Sequence, residues 1–252
     1  YSPHGAGALR PDRCSIVYAQ RTREAFPHVP IVIGGIEASL RRIAHYDYWQ
    51  DKVRRSLLLD AKADLLVFGN AERAIVDIAH RIANGDDIRS ITDIRGTGFM
   101  RRDTPQGWFE LDSTNVDEGG RVDPIINPYV NTQDTAVCEV EKNKLPPEGQ
   151  GEGDDIQVVT LQPSKALKHR LPPREKTVIR LPAFEQLKGD PVMYAHANRV
   201  LHLETNPGNA RALVQRHGEQ DVWLNPPPIP LSTEEMDYVF DLPYARVPHP
   251  AY

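Results

Sequence analysis

The chain has 252 residues, with 30 Lys and Arg against 35 Asp and Glu, 40% apolar residues and two cysteines. That length suits one large domain or two small ones with a real core. A formal charge of −5 lacks the basic excess of a general nucleic-acid or membrane-surface binder, and two cysteines make no disulfide framework. No apolar run approaches the ~20 residues of a membrane span and no signal peptide opens the chain, so a reducing, cytoplasmic setting is expected. The first residue is Tyr1 and the closing RVPHPAY has no terminal character, so the chain is expected to be a piece of a longer protein.

In chain order, Asp12 is placed to cap a helix through RCSIVYAQRTREAF, with Ile16, Val17 and Phe26 toward a core. PIVIGG (30–35) reads as a short buried strand stopped by two glycines. DYWQDKVRRSLLLDAKA (47–63) reads as an amphipathic helix, and DLLVFGN (64–70) as a second glycine-ended strand. AERAIVDIAHRIANG (71–85) follows as a helix with Ile75, Ile78, Ala79 and Ile82 at helical spacing and Gly85 as its stop. Helix, strand, helix, strand, helix predicts an α/β fold with a parallel sheet covered on both faces. A Rossmann-like or flavodoxin-like sheet needs more strands than these, so the sheet is expected to be incomplete at its N-terminus.

Beyond residue 96 the style changes. Residues 1–104 hold 4 prolines and residues 105–252 hold 18, which separates an ordinary first part from a less regular extension. GTGFMRRDTPQGWFELD (96–112) predicts a hairpin within an insertion over 97–141. Residues 101–155 carry 5 basic against 13 acidic side chains, and KNKLPPEGQGEGDD (142–155) reads as a flexible acidic linker. An α+β extension over 156–252 follows. IQVVTLQP (156–163) and KTVIRLP (176–182) read as strands there, VMYAHANRVLHLET (192–205) and GNARALVQRHG (208–218) as helices. DVWLNPPPIPL (221–231) reads as a strand running into polyproline, and Ser232 with Glu235 forms a capping box for a last helix.

In an open α/β sheet, ligands sit outside the carboxyl ends of the strands. Gly34, Gly35 and Gly69 stand at such ends, with Glu37 and Glu72 just beyond, and are the candidate cofactor-binding residues. The same glycines would also serve tight strand-to-helix turns, and Glu72 would suit a helix first turn. Neither glycine motif is a dinucleotide or P-loop fingerprint. RRIAHYDYWQDKVRR (41–55) packs three aromatics and four arginines together, either to stack on a flat ligand or as a helix with its aromatics in the core. Nine histidines include no H-E-x-x-H, and Cys14 and Cys138 cannot by themselves hold an iron–sulfur cluster. No catalytic or metal-ligating residue is assigned.

The strings LRPDRCSIVYAQRTREAFPHVPIVIGGIEASLRRIAHYDYWQDKVRRSLL, ADLLVFGNAERAIVDIA, VLHLETNPGNARALVQRHG and DVWLNPPPIPLSTEEMDYVFDLPYARVPHPAY resemble the N-terminal region of the YgiQ family of radical SAM proteins. The resemblance covers the chain apart from the acidic linker. It implies that residues 1–96 are part of a cobalamin-binding-like α/β domain placed before a radical SAM core, the expected partner of this region. It implies further that the parent enzyme uses a [4Fe–4S] cluster and S-adenosylmethionine to make a 5′-deoxyadenosyl radical, on an unknown substrate. The C-x-x-x-C-x-x-C cluster motif lies outside these residues, so the chain alone is expected to be inactive. D-x-H-x-x-G, the cobalt-ligating motif of true B12 domains, is missing, which counts against cobalamin. The alternative is a non-catalytic Rossmann-like domain that binds a small molecule or a protein.

Overall fold

A computed structural model describes residues 11–121, 172–245 and 247. The linker at 142–155, the strand at 156–163 and Cys138 lie outside the described residues. One compact unit joins the residues up to Gly120 with those from Pro172 onward.

The frame is a seven-stranded sheet in the order β1-β4-β5-β9-β8-β7-β6. Its strands are β1 (Val32–Ile33), β4 (Leu65–Val67), β5 (Thr97–Arg101), β6 (Phe109–Asp112), β7 (Thr177–Leu181), β8 (Ala212–His217) and β9 (Gln220–Leu224). β1 and β4 pair parallel, as do β6 with β7 and β7 with β8, while β5 and β9 pair antiparallel to their neighbours. The α/β class therefore stands, on a mixed sheet rather than a wholly parallel one.

Strand alternation divides the core between two faces. On the first face Leu66, Ile179, Leu213 and Leu224 pack with Ala19 of α1 (Cys14–Ala25), Ala38 of α2 (Gly35–Leu40) and Leu57 and Leu58 of α3 (Leu57–Asp60). On the second face Leu65, Val67, Val178, Val214 and Trp223 pack with Ala74 and Ile78 of α4 (Glu72–Ala83) and with Ile88, Ile91 and Ile94. Successive strand residues thus serve opposite layers, so a one-residue slip in any strand would exchange the two cores.

Several expectations are corrected. Asp12 caps nothing: Arg13 occupies the N-cap position of α1 without a side-chain bond, and Phe26 is 59% exposed. Residues 47–63 are not one helix. His45–Asp47 (β2) and Lys52–Arg54 (β3) form an antiparallel hairpin, and only Leu57–Asp60 is helical. The period there is two, since His45 and Asp47 are buried while Tyr46 between them is exposed. Helix α4 forms as expected, with Gly85 at φ +96° after it, but it is rotated: Ala74 and Ile78 are buried and Ile75 is exposed. The hairpin at 96–112 does not form, because β5 pairs β4 and β9 whereas β6 lies at the far edge on β7. Residues 212–217 are strand β8, not helix, turning into β9 through Gly218 at φ +60°. A Gly-X pair between two alternating segments is a two-residue hairpin signal, and it outweighs the helix propensity of Ala-Arg-Ala-Leu.

The Pro191–Leu203 helix starts at Asp190, whose carboxylate accepts from the Val192 and Met193 amides. The Thr233–Asp241 helix carries the expected capping box, Ser232 and Glu235 each accepting the other's amide.

Candidate functional site

Because β1 and β4 run parallel, their glycine-ended turns emerge at one end of the sheet. Gly35 opens α2 at φ +80° and Gly69 follows β4 at φ +71°. A side chain on Gly34 would meet only ordinary contact with the Val67 carbonyl at 3.7 Å, so that glycine is not required by crowding. Ser39 ties the two turns together: its hydroxyl donates to the Gly35 carbonyl at 3.0 Å and accepts from the Gly69 amide at 3.2 Å. Nothing in its sequence context marks Ser39 in advance.

The two glutamates are not paired in one place. Glu37 braces α2 to α1, accepting from the Ser15 hydroxyl and from Arg41 at 2.7 Å, with the Cys14 thiol 3.9 Å away. Glu72 lies in the first turn of α4, where the helix dipole favours a carboxylate, and its Oε2 is buried without a hydrogen-bond partner.

The proline run after β9 crosses this end of the sheet as a strap. A Cβ on Gly69 would stand 3.1 Å from the Pro228 ring, and one on Gly96 only 2.9 Å from it. Those glycines therefore admit a close approach by this chain's own proline. Polar anchors hold the strap on both sides. The Gly96 amide donates to the Pro226 carbonyl at 2.8 Å, and Arg95 to that of Pro227 at 2.9 Å. Arg73 donates to the Ile229 carbonyl at 2.9 Å and pairs with Glu235, so the strap also fixes the last helix. Asn225 donates to the carbonyls of Thr92 and Ile94 at 2.9 and 2.8 Å.

Beside the strap is a cleft of about 210 Å³ bordered by Ser39, Arg42, Phe68, Gly69, Leu213 and Leu224. Its walls are mainly first-face apolar side chains. Glu204 and Arg211 also border it, and that carboxylate is satisfied by the Arg211 amide at 2.6 Å and its Nε at 3.0 Å. Arg42 is different. Its guanidinium lies 4.9 Å from the Phe68 ring centroid and donates to the Ser39 carbonyl, and among the described residues no carboxylate lies within ion-pair distance. Burial pulls the Arg42 guanidinium below its ordinary value. A desolvated cation on an apolar wall favours a ligand with one anionic group and an apolar body. Of the sequence candidates, Gly69 borders this cleft; Gly34, Gly35, Glu37 and Glu72 are not among its lining residues.

The 41–55 cluster is not the helix with aromatics in the core, one of the two readings its sequence allows. Tyr46, Tyr48 and Trp49 are exposed, Tyr48 and Trp49 stacking at 4.8 Å, while Arg41, Arg54 and Arg55 are ion-paired. Arg54 and Arg55 both reach Asp60 at 2.9 Å, and Arg13 reaches Asp47 at 2.5 Å. The Arg13 hydrogen bond holds the Asp47 carboxyl below its usual range.

Sequence reasoning also missed a buried Ser–His–Asp set. His196 Nε2 lies 3.1 Å from the Ser113 hydroxyl and its Nδ1 3.6 Å from Asp117, which Arg199 approaches at 2.9 Å. Ser113 is 1% and His196 2% exposed, so a substrate has no approach to that hydroxyl. The set braces the 113–115 turn against the Pro191–Leu203 helix. Among the described residues no three His, Cys, Asp or Glu side chains could hold a metal ion, and Cys14 is the one cysteine there. An iron–sulfur cluster does not fit these residues.

Fold and site together define a layered α/β domain with a small cleft beside glycine-ended strands. A family model described as Radical SAM N-terminal matches residues 1–252, and the chain belongs to that family. It is 67% identical over 252 residues to a UPF0313 protein of Pseudomonas putida, covering 100% of this chain and 32% of the relative. It is 53% identical over 252 residues to the UPF0313 protein YgiQ of Escherichia coli K12, again covering all of this chain and 32% of the relative. The chain thus spans about a third of the length of these curated relatives. No solved structure matches it.

Proposed function

We propose that the chain is the leading module of a radical SAM enzyme whose cluster ligands and S-adenosylmethionine site lie elsewhere in the longer polypeptide. The observation that carries this reading is the match of the Radical SAM N-terminal model across residues 1–252. The activity is reductive cleavage of S-adenosylmethionine to a 5′-deoxyadenosyl radical that takes hydrogen from a substrate still to be identified. The group supplies radical chemistry when bound; the residues of this chain supply shape and contacts.

Within that reading the cleft bordered by Gly69 and Arg42 is the ligand-facing part of the module, and the remainder of the polypeptide is its partner. The module alone is inactive, since two cysteines cannot replace a three-thiolate motif. Anaerobic reconstitution with iron and sulfide tests both statements. The full-length protein is expected to gain the visible absorbance of a [4Fe–4S] cluster, and residues 1–252 expressed alone to stay colourless. A colourless full-length protein would favour a binding domain over an enzyme.

A further inference from the structure

A second cavity, of about 420 Å³, is bordered by Arg95, Arg101, Trp108, Glu175, Lys176 and Trp223 and by Pro226 of the strap. Trp108 meets Trp223 edge to face at 4.9 Å. The Arg101 guanidinium lies 5.0 Å from the Trp223 ring centroid, and the Lys176 ammonium 5.4 Å from that of Trp108. Two indoles and two cations therefore wall one space large enough for a one- or two-ring molecule.

Arg101, like Arg42 and Arg95, differs from the ion-paired arginines of the fold. Arg180 is held by Glu110 and Asp221, Arg211 by Glu204, Arg23 by Asp64 and Arg54 by Asp60. Among the described residues Arg101 has no ion pair, and its Nε is shut off from solvent without a hydrogen-bond partner. Two of the acids nearby are committed elsewhere, Asp93 to Arg81 at 2.7 Å and Asp221 to Arg216 and Arg180, while Glu175 is an exposed side chain at the cavity edge that makes no ion pair with Arg101. Asp103 and Asp221 both favour the Arg101 charge electrostatically, without forming an ion pair with it. Burial lowers the Arg101 guanidinium from its ordinary value, as for a cation lacking its counter-ion. A guanidinium over an indole already has a cation–π contact, but that contact leaves the Nε–H unanswered.

We infer that this cavity binds an organic oxyanion, a carboxylate or phosphate carried on a flat ring, with Arg101 as the anion-binding residue and Trp108 as the ring contact. The oxyanion would accept from Arg101, the arrangement in which guanidinium hydrogen bonds are strongest. Lys176 at the rim adds attraction without fixing geometry. The inference does not rest on the radical reading; it would hold for a binding domain equally well.

Calorimetric titration of the full-length protein tests it with two probe pairs. These are 4-hydroxybenzoate against its neutral amide, and adenosine 5′-monophosphate against adenosine. At least one anion is expected to bind more tightly than its neutral counterpart, and Arg101→Gln to weaken that binding about 10- to 100-fold. Arg101→Lys should restore part of it, and Trp108→Ala should weaken both members of the preferred pair alike. The preferred anion should raise the melting temperature of the wild type and not of Arg101→Gln, whose fold is checked by circular dichroism. Equal binding of anion and neutral partner, or unchanged anion binding by Arg101→Gln, would overturn the inference. If 4-hydroxybenzoate alone responds, the site is for carboxylates; if the nucleotide alone responds, it is for phosphates.

Discussion

The ring of Pro228 stands where a side chain on Gly69 would have to go, 3.1 Å from the ideal Cβ position. Gly96 is tighter still at 2.9 Å, and both glycines have positive φ, +71° in each case. The strap therefore closes over the sheet end because two residues beneath it lack side chains. Gly96→Ala combines a left-handed backbone with a clash against both Pro228 and the Phe68 carbonyl, at a cost of about 2 kcal/mol or more. Urea unfolding should show that loss, and adding Pro228→Ala should recover part of it. A neutral Gly96→Ala would mean that the strap does not seat on the sheet as described.

His217 makes an acid-side prediction. It is 5% exposed, stacks on Phe184 at 5.5 Å, and both ring nitrogens lack hydrogen-bond partners. Burial pushes its pKa down to about 4. Unfolded histidine titrates near 6.5, so between about pH 6.5 and 4 the unfolded chain binds the proton that the folded chain refuses. Stability should fall across that window as pH drops, by on the order of 3 kcal/mol from this group, and no further from it below pH 4. His217→Phe should flatten this part of the stability curve while keeping the stack on Phe184. An unchanged slope would place the acid sensitivity elsewhere.

Asp221 acts in a lower window. Burial would raise its carboxyl, but hydrogen bonds from Arg216 and Arg180 outweigh that and hold it below the usual range. Its contribution is present above the ordinary carboxylate pKa and is lost as pH falls through the lowered value. The residue is 1% exposed and bonded to Arg216 at 2.5 Å and Arg180 at 3.3 Å. Asp221→Asn should destabilise by about 3 kcal/mol, because two partly buried guanidinium groups lose their shared anion. A double-mutant cycle with Arg216→Met should show coupling of the pair; strict additivity would deny it.

Arg42 should behave in the opposite way. Among the described residues its charge has no carboxylate counterpart, so Arg42→Met removes a desolvated cation and keeps the stem on Phe68. The melting temperature should hold or rise while any ligand of the cleft binds less tightly. A marked fall in melting temperature would assign Arg42 to the fold alone.

The sequence was most legible where period and punctuation agreed. DLLVFGN, KTVIRLP and DVWLN became strands, and the capping box at Ser232 and Glu235 formed as read. It was least legible where the tertiary setting chose between two local options. GNARALVQRHG has good helix formers, yet Ala212, Leu213 and Val214 are all buried between β7 and β9, and burial on two faces outweighs propensity. In 41–55 the aromatics suggested a core, but buried Asp47 and half-buried Asp60 take the ion pairs of Arg13, Arg54 and Arg55, and the rings stay outside. Gly69 was visible as a close-approach position; that the approaching group is Pro228, 159 residues later, was not. Ser39 and Arg42, which shape the cleft, belong to no recognisable spacing.

The most direct test of the account is the product of the full-length, anaerobically reconstituted protein given S-adenosylmethionine and dithionite. The account expects 5′-deoxyadenosine in the full-length reaction and none with residues 1–252 alone. Absence of 5′-deoxyadenosine from a full-length protein that carries its cluster would contradict it.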